Sequence, residues 1–260
     1  MEMNSRTLLI AYSLQFKGEW TTIMQHLSAA EKPDDIYLEQ ATSLELANRV
    51  KTILDPDYPE HLKKIPQPPF VLYYYGDFSL ISDPNKNIAI RGTRNNSDYG
   101  EAKTKEIAGE LANKEYNIVA GLAIGTDTVA LNSAIENGGK VIAVLGNGID
   151  YCYPASNAKL YAKIKKDHLL LSEYPGSEPP EPAHFPFRNR IIAGISKALV
   201  FTELKPKGHF TTDVTYGLTL GKEIMCVPER ADKDSACNVL IKQGAVLVEN
   251  ASDILEYLED

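Results

Sequence analysis

The sequence predicts an α/β fold with a doubly wound, mostly parallel sheet of extended Rossmann-like type, preceded by a small helical region. Three observations carry that prediction. From about residue 86 onward, short apolar runs alternate with helix-like stretches, the rhythm of repeated β–α units. The runs are almost wholly apolar, as in Val141-Ile142-Ala143-Val144-Leu145, which suits strands covered on both faces. Before residue 54 the apolar residues recur at helical spacing instead, and a proline-rich connector separates the two regions.

The elements follow in order. Leu8, Leu9 and Tyr12 fit a first helix, and Ile23, Met24 and Leu27 a second. Leu44, Leu46, Ala47, Val50, Ile53 and Leu54 fit a third, with no strand expected in this part of the chain. Pro56, Pro59, Pro66, Pro68 and Pro69 then lead into Phe70–Gly76, an aromatic and β-branched run that reads as a strand. The boundaries drawn from this are a helical region over 1–60, a linker with its first strand over 61–85, and a Rossmann-like domain over 86–260. Within that domain strands are expected at Asn87–Arg91, Asn117–Ala120, Lys140–Leu145, Leu169–Glu173, Ala198–Glu203, Glu223–Val227 and Ala245–Val248. Helices are expected between them at Ser97–Lys114, Thr126–Asn137, Ala155–Lys166, Arg190–Lys197, Thr211–Leu220 and Cys237–Gln243, with Ser252–Leu258 closing the chain.

Composition narrows the function. The 260 residues carry 27 Lys and Arg against 35 Asp and Glu, a formal net charge of -8, so any contact with nucleic acid must use a local basic patch. Cys152, Cys226 and Cys237 show no metal-ligand spacing and read as reduced thiols. No apolar run is long enough to span a bilayer and the N-terminus has no secretory pattern, so a cytoplasmic protein without membrane insertion is expected.

Ligands of open α/β sheets bind beyond the carboxyl ends of the strands, where helix N-termini offer free N–H groups. Three loops fit that position. Arg91-Gly92-Thr93-Arg94 leads to Ser97, an expected N-cap; Gly121 to Gly125 leads into Thr126 and Asp127; Gly146-Asn147-Gly148-Ile149-Asp150 follows a third strand. Each alone is an ordinary tight turn, but three in one domain favour a phosphate site. None matches GxGxxG, and Gly217–Glu223 is a residue short of a P-loop, so no cofactor is expected.

Phe185-Pro186-Phe187-Arg188-Asn189-Arg190 places two arginines where a long loop enters an apolar helix, suited to bidentate contact with phosphate. Their structural alternative is an ion pair with Glu173 or Glu181. Phe185 and Phe187 are candidates for stacking on bases, with core packing the expected use of at least one. No catalytic constellation emerges: the five histidines stand near no nucleophile motif, and Asp127, Asp150 and Glu173 are each able to order a loop.

Taken together, Gly92-Thr93-Arg94, Gly121-Leu122-Ala123, Gly125-Thr126-Asp127, Gly146–Asp150 with Tyr153-Pro154, Ser172–Pro175 and Phe185–Gly194 resemble the bacterial DNA-processing protein A (DprA/Smf) family, from about residue 56 to about 249. The resemblance implies a non-catalytic protein that binds single-stranded DNA, protects it, forms a homodimer and helps load the recombinase RecA in DNA-mediated transformation of competent cells. It implies phosphate contacts from Arg94, Arg188 and Arg190 around Gly92, Gly121 and Gly125, and a sterile-alpha-motif-like N-terminal domain. The candidate DNA-binding set is therefore Gly92, Arg94, Ser97, Gly121, Gly125, Thr126, Arg188, Asn189 and Arg190, with no metal.

Three departures bear on affinity. Ile124 stands where the family has a basic residue, Pro206–Phe210 replaces a Ser-Gly-Ser loop, and Glu229 follows Pro228 where Pro-Gly is usual. A lost cation and a gained anion near the site are expected to weaken phosphate binding. The alternatives are a phosphoribohydrolase-like enzyme of the same superfamily, with Asp213 as its nearest acid, and a nucleotide-sensing or interaction module.

Overall fold

The computed structural model describes residues 4–206, 208 and 210–259. Its elements run α1 (Ser5–Gln15), α2 (Trp20–Ser28), α3 (Asp35–Ala47), β1 (Val50–Thr52), α4 (Glu60–Lys63), β2 (Val71–Gly76), β3 (Asn87–Gly92), α5 (Asp98–Asn113), β4 (Asn117–Ala120), α6 (Thr126–Glu136) and β5 (Val141–Leu145). They continue with α7 (Ala158–Asp167), β6 (Leu169–Ser172), α8 (His184–Gly194), β7 (Ala198–Glu203), α9 (Thr211–Thr219), β8 (Glu223–Cys226), α10 (Ala236–Lys242), β9 (Val246–Leu247) and α11 (Ala251–Glu259). None of the described helices is long and apolar enough to cross a membrane.

The nine strands form one sheet in the order β1-β2-β6-β5-β4-β3-β7-β8-β9. Every pairing from β6 to β9 is parallel, while β2 joins β6, and β1 joins β2, in the antiparallel sense. From β3 the chain winds outward through β4, β5 and β6, then returns to lay β7, β8 and β9 on its other side. The sheet therefore reverses direction between β3 and β7, where such folds open a crevice.

Side chains alternate across the strands as the pleat requires. Ile88, Ile90, Ile118, Ala120, Val141 and Ala143 point into one core with residues of α5, α6, α7 and α11. Ala89, Val119, Ile142 and Val144 point into the other with α4, α8 and α10. The doubly wound architecture is thus the expected one. Leu9, Ile10 and Ala11 of α1 and Ala41 of α3 share the first core, so the N-terminal helices pack directly on the sheet.

Several elements differ from expectation, among them α3, β1, the short α4 and α8. The third helix does not run to Leu54: Asn48 takes a left-handed conformation at φ 50° and ends α3 at Ala47. Val50 is then buried opposite Tyr73, and Val50–Thr52 becomes an edge strand too short for its alternation to stand out in sequence. Similarly, α8 begins at His184 and not at Arg190. Pro186 lies in the first turn, where its missing N–H has no intrahelical partner to lose.

Candidate functional site

A cavity of about 520 Å³ opens at the reversal point between β3 and β7. Arg91 and Gly92 at the end of β3, the following Arg94, Ile124 from the β4–α6 loop and Arg188 and Asn189 from α8 line it, among others.

The floor is built around Arg91. Its Nη1 donates to both carboxylate oxygens of Asp127 at 2.9 Å, and its Nε donates to Asp213 Oδ1 at 2.9 Å. Burial works to lower the Arg91 pKa, but the two aspartates outweigh it and hold the value above normal. Asp127 also accepts the backbone N–H groups of Gly121 and Ala123, so one carboxylate fixes both the arginine and the β4–α6 loop. Asp213, the acid of the hydrolase alternative, is 2% exposed and held in this ion pair.

Arg188 sits beside Arg91 and is only 3% exposed. It donates to the carbonyls of Gly121 and Val144 and to Asn189 Oδ1. Among the described residues it touches no carboxylate. Burial pulls its pKa down to about 10, and the Arg91 charge adds to the fall. Asn189 bridges the two arginines, accepting from both and donating to Thr212 Oγ1. Arg94 is exposed on the rim and, among the described residues, forms no ion pair. Lys205, also at the cavity, is paired with Glu203.

Of the other expected site residues in these loops, Gly92 lines the cavity, while Ser97, Gly121, Gly125 and Thr126 shape it from behind. A Cβ on Gly121 would lie 2.4 Å from Arg188 Nη1, so the glycine makes room for the guanidinium. Gly125 has φ +80°, and a Cβ there would meet Thr93 O at 2.4 Å. That contact presses the β4–α6 loop against the Arg94 loop, and the Thr126 N–H donates to Thr93 O across the seam. Gly92 gives the same closeness from the other side, against the Thr126 side chain, whose hydroxyl accepts from Asn96. Ser97 caps α5 by accepting from the Gly100 N–H and donates to Glu203, a structural role.

Arg190 does not join them. Residues two apart on a helix point about 200° away from each other, so Arg188 and Arg190 cannot face one ligand. Arg190 is fully buried on the opposite side of α8, donates from Nη2 to both oxygens of Glu173 at 2.8 and 2.7 Å, and stacks 3.7 Å over Phe187. The expected convergence of three guanidinium groups is corrected to two, and Phe187, with Arg190 over its ring, is not a wall of the cavity. Phe185 is one. His184 is buried, stacked on Tyr174 and bonded to Glu19.

The family model described as DNA recombination-mediator protein A matches residues 49–259. The chain belongs to that family. It is 38% identical over 208 residues to protein Smf of Synechocystis, covering 78% of this chain and 52% of that one. It is also 38% identical over 210 residues to DNA processing protein DprA of Streptococcus pneumoniae, covering 80% and 73%. Thus it spans about half the length of the Synechocystis relative. The S. pneumoniae DprA crystal structure superposes with a TM-score of 0.76 at 30% identity, over 98% of this chain and 93% of that one. DNA processing protein A of Helicobacter pylori, described as having a distinct single-stranded DNA binding mode, gives 0.73 at 27% identity, over 81% and 95%.

Of the three departures, those at Ile124 and at Pro206–Phe210 reach the cavity. Ile124 lines it, 47% exposed, and brings an apolar side chain to the wall. Glu229 does not line it: its N–H donates to Asn238 and its carboxylate accepts from the Arg230 N–H, so the expected anion at the site is displaced toward α10. Gly208 lines the cavity, while Lys207 and His209 lie outside the described residues. Arg91 opens the first of the three loops, but its side chain has no role assignable from sequence. Its signal was a charged residue closing the apolar run Ile88-Ala89-Ile90, but only the strand order shows that this run borders the reversal point.

Proposed function

We propose that the protein binds single-stranded DNA at this cavity, with a backbone phosphate held by Arg94 and Arg188. The observation that carries the proposal is Arg188, a nearly buried guanidinium lining a solvent-connected cavity with no carboxylate partner among the described residues. Among the described residues, the hydrogen-bond partners of Arg188 are all neutral acceptors on Nε and Nη1, so its Nη2 is left to donate a charge-assisted hydrogen bond to an entering phosphate. Arg91 and Arg188 together match the two carboxylates of Asp127 and Asp213, so Arg94 on the rim supplies the surplus positive charge. Apolar walls from Ile124 and Phe185 suit an unstacked base, which a single strand offers and a duplex does not. Cations and rings read no base edge, so recognition is independent of sequence. The H. pylori relative supports the same ligand.

The wider role rests on the family: protection of the strand and its delivery to the recombinase RecA in natural transformation, by a cytoplasmic homodimer. A binding protein is favoured over an enzyme because Asp127 and Asp213 are both engaged by Arg91. Anisotropy titration of unstructured and mixed-sequence oligonucleotides at roughly 50 and 200 mM salt tests the reading. Similar affinities for both sequences, a steep loss with salt and weaker duplex binding are expected. No binding at low salt, or an affinity indifferent to salt, refutes it.

A further inference from the structure

The loop after β5 is held more firmly than a turn requires. Gly148 N–H donates to Glu178 O at 2.8 Å, Ile149 N–H to Tyr174 O at 3.1 Å and Asp150 N–H to Gly176 O at 2.8 Å. Ser172 Oγ donates to Asn147 O, Asn147 Nδ2 donates to Tyr151 O, and Tyr161 donates to Ile149 O, each at 2.6 Å. Residues 147–151 are thereby fixed to the segment after β6 and to α7. A helix connection alone does not call for this.

What the fixed loop presents is Tyr153. Its side chain lines the cavity that holds Arg94 and Arg188, yet the residue stays 40% exposed. Phe185 braces it from α8, with ring centroids 5.8 Å apart and planes tilted by 42°. Phe185 reaches that position because Gly146 has no side chain: a Cβ there would stand 2.8 Å from Phe185 Cδ1. Gly146, Phe185 and the bonded loop therefore form a stack of supports under one exposed aromatic ring. A tyrosine needed only for the core would be buried, as Tyr161 and Tyr174 further along the chain are.

We propose that Tyr153 is a stacking platform for one base of a bound single strand, next to the nucleotide whose phosphate Arg94 and Arg188 hold. The inference rests on the phosphate reading given above and adds to it a base contact from a residue outside the arginine loops. Aromatic stacking accepts any base, so Tyr153 contributes affinity without sequence preference. A ring held in advance by its neighbours also loses little freedom on binding.

The test uses the full chain and two probes, an oligothymidylate and an oligonucleotide of equal length in which the bases are replaced by abasic tetrahydrofuran units. Tyr153→Ala is expected to weaken oligothymidylate binding by roughly 5- to 150-fold, the span of a single stacked base, and to leave abasic binding unchanged. Tyr153→Phe and Tyr153→Trp should keep wild-type affinity, with thermal melting unchanged in all three. Arg94→Ala should weaken both probes. Equal loss on both probes for Tyr153→Ala, or no loss on oligothymidylate, overturns the stacking role. Arg94→Ala without loss on either probe overturns the phosphate reading and leaves the Tyr153 comparison to decide stacking by itself.

Discussion

Replacing Arg190 separates the two arginines that the sequence presents as a pair. Arg190 and Glu173 meet bidentately at 2.8 and 2.7 Å with side chains 0% and 5% exposed, and the guanidinium also donates to the carbonyls of Gln67 and Phe187. Arg190→Met removes the cation and leaves Glu173 buried without its partner, a change that costs about 3–5 kcal/mol. For a chain of this size each kcal/mol lowers Tm by about 2–4 °C, so a fall of roughly 6–20 °C is expected. Adding Glu173→Leu removes the stranded carboxylate and should recover most of that loss. Differential scanning calorimetry measures the Tm, and anisotropy below the transition measures oligonucleotide affinity, which should stay at the wild-type value. A variant with unchanged Tm and a large loss of affinity would refute the placement of Arg190 away from the ligand.

Other outcomes follow from the same geometry. Gly125→Ala forces a side chain onto a backbone at φ +80° and against Thr93 O; calorimetry should show a loss of about 1–3 kcal/mol, with weakened DNA binding as the two loops part. Ile124→Arg puts a cation on the exposed cavity wall and should steepen the salt dependence of binding by about 0.7 with Tm unchanged; a slope no steeper places the 124 side chain away from the strand. Burial, aided by the Lys222 charge, lowers the His61 pKa from 6.5 to about 4. The unfolded chain then binds the proton first as pH falls, so His61 costs stability progressively between pH 6.5 and 4 and nothing above that window. Denaturant titrations across this range should show a shallower decline for His61→Gln than for the wild type.

The sheet was legible because each strand from β3 to β8 is a short apolar run bounded by turn residues, and period-two burial leaves such runs no other use. Val50–Thr52 was not, since three residues cannot display an alternation and the helical spacing of Leu44 and Ala47 runs straight into them. Arg94 could be placed from its glycine loop, which is local information. Arg188 and Arg190 could not be told apart locally: their roles diverge only once Pro186 is seen inside a helical first turn, which turns neighbours in sequence into opposite faces. Arg91 needed the strand order, because its chemistry comes from Asp127 and Asp213, 36 and 122 residues further along the chain. Residue type marks an anion site well where the loop itself makes it, and poorly where distant carboxylates decide which cations stay free.

The most direct measurement is the slope of log binding constant against log salt for the wild type and Arg94→Ala on one single-stranded oligonucleotide. Loss of one phosphate contact should make the slope shallower by about 0.7 and weaken binding at every salt concentration, with Tm unaltered. Identical slopes and affinities would mean that the strand does not pass between Arg94 and Arg188.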